Sequence, residues 1–281
     1  MQKQRRNLLT LLTTLTPFGF VSSSSWAQNA KTAAASPSSL TLGLHAAVTK
    51  VTRLSVLTDR IGRGHAQRVL EVLPKRSGKI IAESSQEARK LLNELVSVNY
   101  AAPSKAQFGK VSKDYELLLQ SSERFTSTEK TDLAKFGHQA DNLGGEVDKL
   151  VEFLIKELGK PVAQVLSATA DLQRLTQHLA VHFLLAHVGT EIKEQQKLLF
   201  EGIDEFNHQF KAIQAAALKN SQIEQSLQLI GNQWFLMSQS LKSSEKDAIT
   251  MENVCTTSER TLEVLNELYA HYETALKSLI G

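Results

Sequence analysis

The sequence predicts an all-α protein built as two tandem antiparallel four-helix bundles. Three observations carry that prediction. Hydrophobic residues make up 42% of the 281-residue chain but aromatics only 6%. The rest leans on Gln, Glu, Lys and Ser, alongside abundant Leu and Ala, a balance that favours helices because straight-chain residues lose little rotamer freedom there. Apolar residues recur at spacings of three and four through most of the chain. The three prolines beyond residue 40 (Pro74, Pro103 and Pro161) each fall where that periodicity breaks, as a residue lacking an N–H and fixing φ should.

Before the helices, residues 1–27 read as an export signal peptide. Lys3, Arg5 and Arg6 form a basic start, Leu8 to Val21 is moderately apolar, and Ser25-Trp26-Ala27 offers a small-x-small cleavage site. Four threonines and Pro17 dilute the apolar stretch, whose 14 residues are too few to span a bilayer comfortably. Arg5-Arg6-Asn7-Leu8-Leu9 resembles a twin-arginine export motif; an ordinary secretory signal with two adjacent arginines is the other reading, and both routes lead to the periplasm. Residues 28–39, rich in Ala and Ser with Pro37, form a flexible lead-in.

The first helix is expected over 42–73, with Val48, Val51, Leu54, Leu57 and Ile61 on its apolar face and Gly62 and Gly64 as a weak spot. The second covers 80–98 and the third 105–120, where Phe108, Val111, Tyr115 and Leu118 share a stripe. The fourth follows Ser127, whose hydroxyl can cap it, and runs through Leu143, Val147, Leu150 and Leu154 to Gly159 as its C′ glycine. Pro161 then opens a fifth helix through Leu172, Leu175, Leu179 and Phe183 to Gly189. Three more follow over 191–218, 222–241 and 245–280.

The second half repeats the first. An offset of about 118 residues places Arg60 on His178, Leu92 on Phe210, Val147 on Leu265, Leu150 on Leu268 and Leu154 on Tyr272; Tyr115 meets Trp234 with one extra residue. Helix order and apolar phase both repeat, so the chain reads as an internal duplication of a four-helix unit, residues 40–159 and 160–281. Gly159-Lys160-Pro161 is the boundary at which the two halves are expected to separate.

Composition also excludes. The chain holds 32 Lys+Arg against 29 Asp+Glu, and removing residues 1–27 takes away three basic residues and leaves 29 of each. No cationic excess remains to favour nucleic acid or an anionic membrane surface. Cys255 is the single cysteine, so no intrachain disulfide can form, and on a Leu-rich helix it reads as a small buried hydrophobe. Beyond the signal, no apolar run reaches the length of a bilayer span, so no stable membrane insertion is expected. No phosphate loop, nucleophile elbow or Cys/His cluster occurs, and neither an enzyme nor a cofactor is implied.

Two short stretches carry a family resemblance. Leu57-Thr58-Asp59-Arg60-Ile61-Gly62-Arg63 and Leu175-Thr176-Gln177-His178-Leu179-Ala180-Val181 resemble the Arg-Met-Leu-Ser-Gln-Arg-Ile-Ala-Lys signature of one sensor family. That family is the N-terminal domain of type IV pili methyl-accepting chemotaxis transducers, which is similar to the periplasmic domain of nitrate/nitrite sensor kinases. The segment from Thr257 to Leu268 resembles the family's closing helix, and Trp234 after Asn232-Gln233 fits its third helix. The resemblance covers most of residues 44–281 as two copies.

In such relatives an arginine on the first helix of each protomer pins an anion at a helix–helix interface, which suits the planar paired donors of a guanidinium. The positions matching that arginine are Ser55 and Gln173 here, with Arg53 and Arg174 close by. The resemblance thus implies a ligand-binding set of Arg53, Ser55, Arg60, Gln173, Arg174 and His178, brought together if the two first helices meet as an internal pseudo-dimer. It also implies a small anion or polar metabolite as ligand. Relatives of this kind are flanked by transmembrane helices; lacking them, this chain is expected to report to a separate membrane receptor or sensor kinase. The competing class is a structural or adaptor protein of the cell envelope with no small-molecule ligand.

Two further clusters have plainer readings. His178 and His182 have the i, i+4 spacing of a metal pair, but with no third ligand at a recognised spacing they read as a polar core or interface pair. Glu259, Glu263 and Glu267 read as a solvated face.

Overall fold

The computed structural model describes residues 37–126, 129–159, 163–189, 191–243 and 247–280. Among these are eight helices and no strand: α1 Pro37–Val69, α2 Pro74–Leu95, α3 Ala102–Arg124, α4 Lys130–Leu158, α5 Gln164–Val188, α6 Ile192–Ala215, α7 Ser221–Lys242 and α8 Ala248–Ile280. Each matches one expected helix, with ends displaced by a few residues. The expected signal peptide, most of the lead-in, the Ser127 cap and Pro161 lie outside the described residues. The lead-in is shorter than expected, because α1 already begins at Pro37.

Local chemistry sets the ends. Pro74 occupies the first turn of α2, where its missing N–H costs nothing, directly after Leu73 in the left-handed region at φ 49°. Pro103 does the same for α3. Gly159 ends α4 at φ 63°, a conformation that suits glycine. Asn220 caps α7 by accepting from the Ile223 N–H at 2.9 Å, and Asp247 accepts from the Thr250 N–H at 2.7 Å at the start of α8.

The packing repeats as the sequence does. In the first four helices, α1 lies against α2 and α4, α3 lies against α4, and α2 touches α3. In the second four, α5 lies against α6 and α8, α7 lies against α8, and α6 touches α7. Each set therefore closes a ring in the same order. The stripes read from the sequence face inward: Val51, Leu54, Leu57 and Ile61 are fully buried in the first set, as are Leu172, Leu179, Leu265 and Leu268 in the second. Matched polar aromatics hold matched places. Tyr115 donates to the Leu54 carbonyl at 3.0 Å, whereas Trp234 stacks on Phe206 at 3.7 Å and donates to Asn207 Oδ1 at 2.8 Å.

The two sets are not strung apart. All eight helices fall within one compact unit, in which α1 packs on α5 and carries the first set onto the second. Gly62 and Gly64, expected as a weak spot, sit in an unbroken helix and serve close approach instead. A Cβ at Gly64 would lie 2.5 Å from Ile81 Cγ1 of α2, and one at Gly62 would lie 3.5 Å from Val181 Cγ2 of α5. No helix among the described residues is long and apolar enough to cross a membrane.

Candidate functional site at the interface of the two helix sets

The structure distributes the expected site residues among three seams. Arg53 turns from α1 to α2, where Nε and Nη2 donate to the two Glu87 carboxylate oxygens at 2.7 and 3.0 Å. Ser55 is buried on the same helix, and Arg174 is half-buried on α5. Gln173 reaches α8, donating from Nε2 to Asn266 Oδ1 at 3.1 Å and to the Leu265 carbonyl at 3.3 Å. Arg60 and His178, paired by the repeat, lie on opposite sides of the α1–α5 contact and face different partners.

Arg60 belongs to a buried charge cluster that joins the two sets. Its Nε and Nη2 donate to Glu259 of α8 at 3.1 and 2.7 Å, and its Nη1 donates to Ser84 at 3.2 Å. Arg63, one turn on, has no exposed surface. Its Nη2 donates to Glu259 Oε1, the oxygen that also accepts from Arg60 Nε, at 2.6 Å, and its Nη1 donates to Ser258 Oγ at 2.7 Å. Glu259 is thus buried, with 6% of its surface exposed, which corrects its placement on a solvated face. Glu263 and Glu267 remain exposed. The reason is the partner: a carboxylate on the inward phase of α8 is tolerable once two guanidinium groups meet it. Burial alone would raise the Glu259 pKa, but Arg63 and Arg60 hold it down to about 2.

The other side of the interface is titratable. His178 Nδ1 lies 3.5 Å from Asp59 Oδ2 of α1, and its ring packs edge-on against His182 with centroids 4.1 Å apart. His182 is buried, with Nδ1 hydrogen-bonded to Gln195 of α6 and Nε2 lacking a partner. Burial first, and the neighbouring His178 second, lower the His182 pKa to about 4. Asp141 of α4 completes the group; burial raises its pKa, with His182 acting in the opposite direction. Asp59, Gly62, Gly137, Asp141 and Val181 line a crevice between α1, α4 and α5 with room for about one water, about 10 Å³. The histidine pair is therefore part of a polar interface. Among the described residues, no group of three or more His, Cys, Asp or Glu side chains is placed to hold a metal ion.

Cys255 is buried beside Arg63 and Glu259, and burial lifts its thiol pKa to about 11, which keeps it protonated at neutral pH. Arg63, Asp59, Asp141 and the paired role of Glu259 were not singled out by motif reading. A signal for them existed. Arg63 falls three residues after Arg60 on the most buried stretch of α1, and Glu259 shares the inward phase of Cys255 and Leu262. Two opposite charges on two apolar stripes ask for each other. The repeat offset also carries Glu259 onto Asp141.

Comparison with protein-family models, curated proteins and solved structures returned no match. The functional reading therefore rests on the geometry of this interface and on the motifs in its helices.

Proposed function

We propose that the chain is a non-enzymatic, sensor-type module of the periplasm, exported through residues 1–27, which receives a small anion or polar metabolite and reports to a separate membrane receptor or sensor kinase. The observation that carries this reading is the packing of α1 on α5, the two first helices of the repeat, with Arg60 and Arg63 of α1 reaching past it to Glu259 of α8. Arg53, Arg60 and Arg63 each already hold a carboxylate. An incoming anion must exchange with Glu87 for Arg53, or with Glu259 for Arg60 and Arg63, and the second exchange would free α8 from α1. Such an exchange gives the module two states from one set of donors, which is what a receiver needs.

A thermal-shift screen of residues 28–281 against nitrate, nitrite, small carboxylates and polar metabolites tests this. At a hundredfold excess over Kd, a bound solute adds about 2.7 kcal/mol to the native state, which should raise the melting temperature by roughly 5 °C or more. The rise should vanish in the Arg53→Ala, Arg60→Ala double variant. No solute-induced rise would remove the receiver reading. The adaptor reading would then lead, favoured by the exposed Leu229, Phe235 and Leu236 on α7, of which Phe235 is 62% exposed.

A further inference from the structure

α7 carries only two Asp, Glu, Lys or Arg side chains, Glu224 and Lys242 near its two ends, whereas α3, its counterpart in the first set, carries seven. α5 also carries only two, Asp171 and Arg174, but most of α5 is enclosed by its neighbours. The outer face of α7 is open. Leu229, Phe235 and Leu236 are 36, 62 and 52% exposed, among the exposed amides of Gln225, Asn232 and Gln239. The repeat supplies the contrast. Setting Trp234 on Tyr115 places Leu229, Asn232 and Phe235 on Lys110, Lys113 and Glu116, all exposed on α3, and Leu236 on the exposed Leu117. The same outer face is thus charged and solvated in one copy, and apolar with neutral amides in the other.

Loss of charge around exposed aromatic and aliphatic side chains marks the centre of a protein interface. A membrane surface fits poorly, because a helix lying on one needs a flank rich in lysine or arginine, and α7 has Lys242 alone. The face is instead complementary to itself. Glu224 and Lys242 are 18 residues apart, five whole turns, so they share one line of the helix at a separation of about 27 Å. Neither is ion-paired among the described residues. When a second α7 is laid antiparallel on the first, each Glu224 meets Lys242 of the other copy across a two-fold axis beside Gln233. A parallel pair would bring like charges together. The leucines obey the same axis: Leu229 and Leu236 are symmetric about the Asn232–Gln233 bond, so each meets the other across the pair. The amides between them both donate and accept, so they can also pair with their own kind. A two-fold contact requires that self-complementarity.

We propose that the outer face of α7 is a homodimer interface, in which two copies of the chain pack α7 against α7, antiparallel, about a two-fold axis between Asn232 and Gln233. The dimer needs no solute and leaves the α1–α5 contact untouched, so it is tested independently of the receiver reading.

Sedimentation velocity of the full chain should show a reversible shift from monomer to dimer as concentration rises. Phe235→Glu combined with Leu236→Glu should raise the dimer dissociation constant about tenfold or more. Helical circular dichroism should be kept, because both side chains are exposed in the single chain. Lys242→Glu should weaken the dimer and the further change Glu224→Lys should restore it, a pattern that a parallel pair would not give. In a Cys255→Ser background, Asn232→Cys should cross-link to its own copy on oxidation. Gln225→Cys, about 20 Å from its own copy in the antiparallel pair, should not. A chain that stays monomeric at every soluble concentration would overturn the proposal. So would a dimer that the paired glutamate substitutions and Lys242→Glu leave unchanged, or one that cross-links through Gln225→Cys and not through Asn232→Cys.

Discussion

Replacing Arg63 by Ala should lower the unfolding free energy by about 3–5 kcal/mol, among the largest losses of any single change in this chain. Arg63 is wholly enclosed and supplies half of the charge that permits Glu259 to be buried. Without it the carboxylate keeps only Arg60, whose guanidinium is itself largely removed from water. Glu259→Gln should cost a comparable amount, since it leaves two guanidinium groups facing a neutral amide. The double variant Arg63→Ala, Glu259→Gln should cost clearly less than the two single changes added together, because the second removes a charge that the first has stranded. Urea unfolding followed by circular dichroism measures all three. Strict additivity would mean that the cluster does not act as a unit.

The second large effect is acid sensitivity. His65 is fully buried between Phe125 and Phe136, with Nε2 on Ser122 Oγ at 2.8 Å, and burial, helped by Arg68, lowers its pKa to about 3. His182 falls to about 4. In the unfolded chain both rings titrate near 6.5. Below that pH the unfolded state binds protons that the folded state refuses, so stability is full above about pH 6.5 and falls as the pH drops toward the folded values. Each imidazole contributes a slope of about 1.4 kcal/mol per pH unit across its window. Asp141, its pKa raised by burial, contributes with the opposite sign at the acid end of that range, because its folded form accepts a proton first. Glu259 adds a further loss below its ordinary range, as the pH falls toward about 2. Unfolding midpoints in urea should therefore drop steeply from pH 7 to pH 5. The variant His65→Phe should show roughly half that slope. An unchanged slope would place the acid sensitivity elsewhere.

The fold was legible because each helix carries its own signature. The prolines at 74 and 103, Gly159 and the inward stripes of Leu and Val mark starts, stops and faces with local chemistry, and the duplication predicted that α1 and α5 would hold equivalent positions. The seams were less legible. A charged residue in a helix is read as solvated by default, and Glu259 sits among Glu263 and Glu267 at regular spacing, so nothing local distinguishes it. Only its distant partners do, and Arg63 lies 196 residues away along the chain. Arg53 illustrates the converse. Its type and position suggested an anion site, but Glu87 on the adjacent helix fills its donors, a pairing that depends on how α2 is rotated against α1. The boundary at Gly159 was marked as a break, but the buried side chains that cross between the halves arise only when α1 meets α5.

That meeting is the central claim, and a designed cross-link tests it most directly. A Cβ at position 62 would lie 3.5 Å from Val181 Cγ2, in van der Waals contact, so cysteine side chains at the two positions would meet across the α1–α5 packing. In a Cys255→Ser background, the pair Gly62→Cys and Val181→Cys should oxidise within one chain. The product should be a monomer that migrates faster on a denaturing gel and reverts with reductant, while either single cysteine variant should show no such band. A doubly substituted chain that keeps its helical circular dichroism but forms only intermolecular dimers, or no disulfide at all, would contradict the packing of α1 on α5.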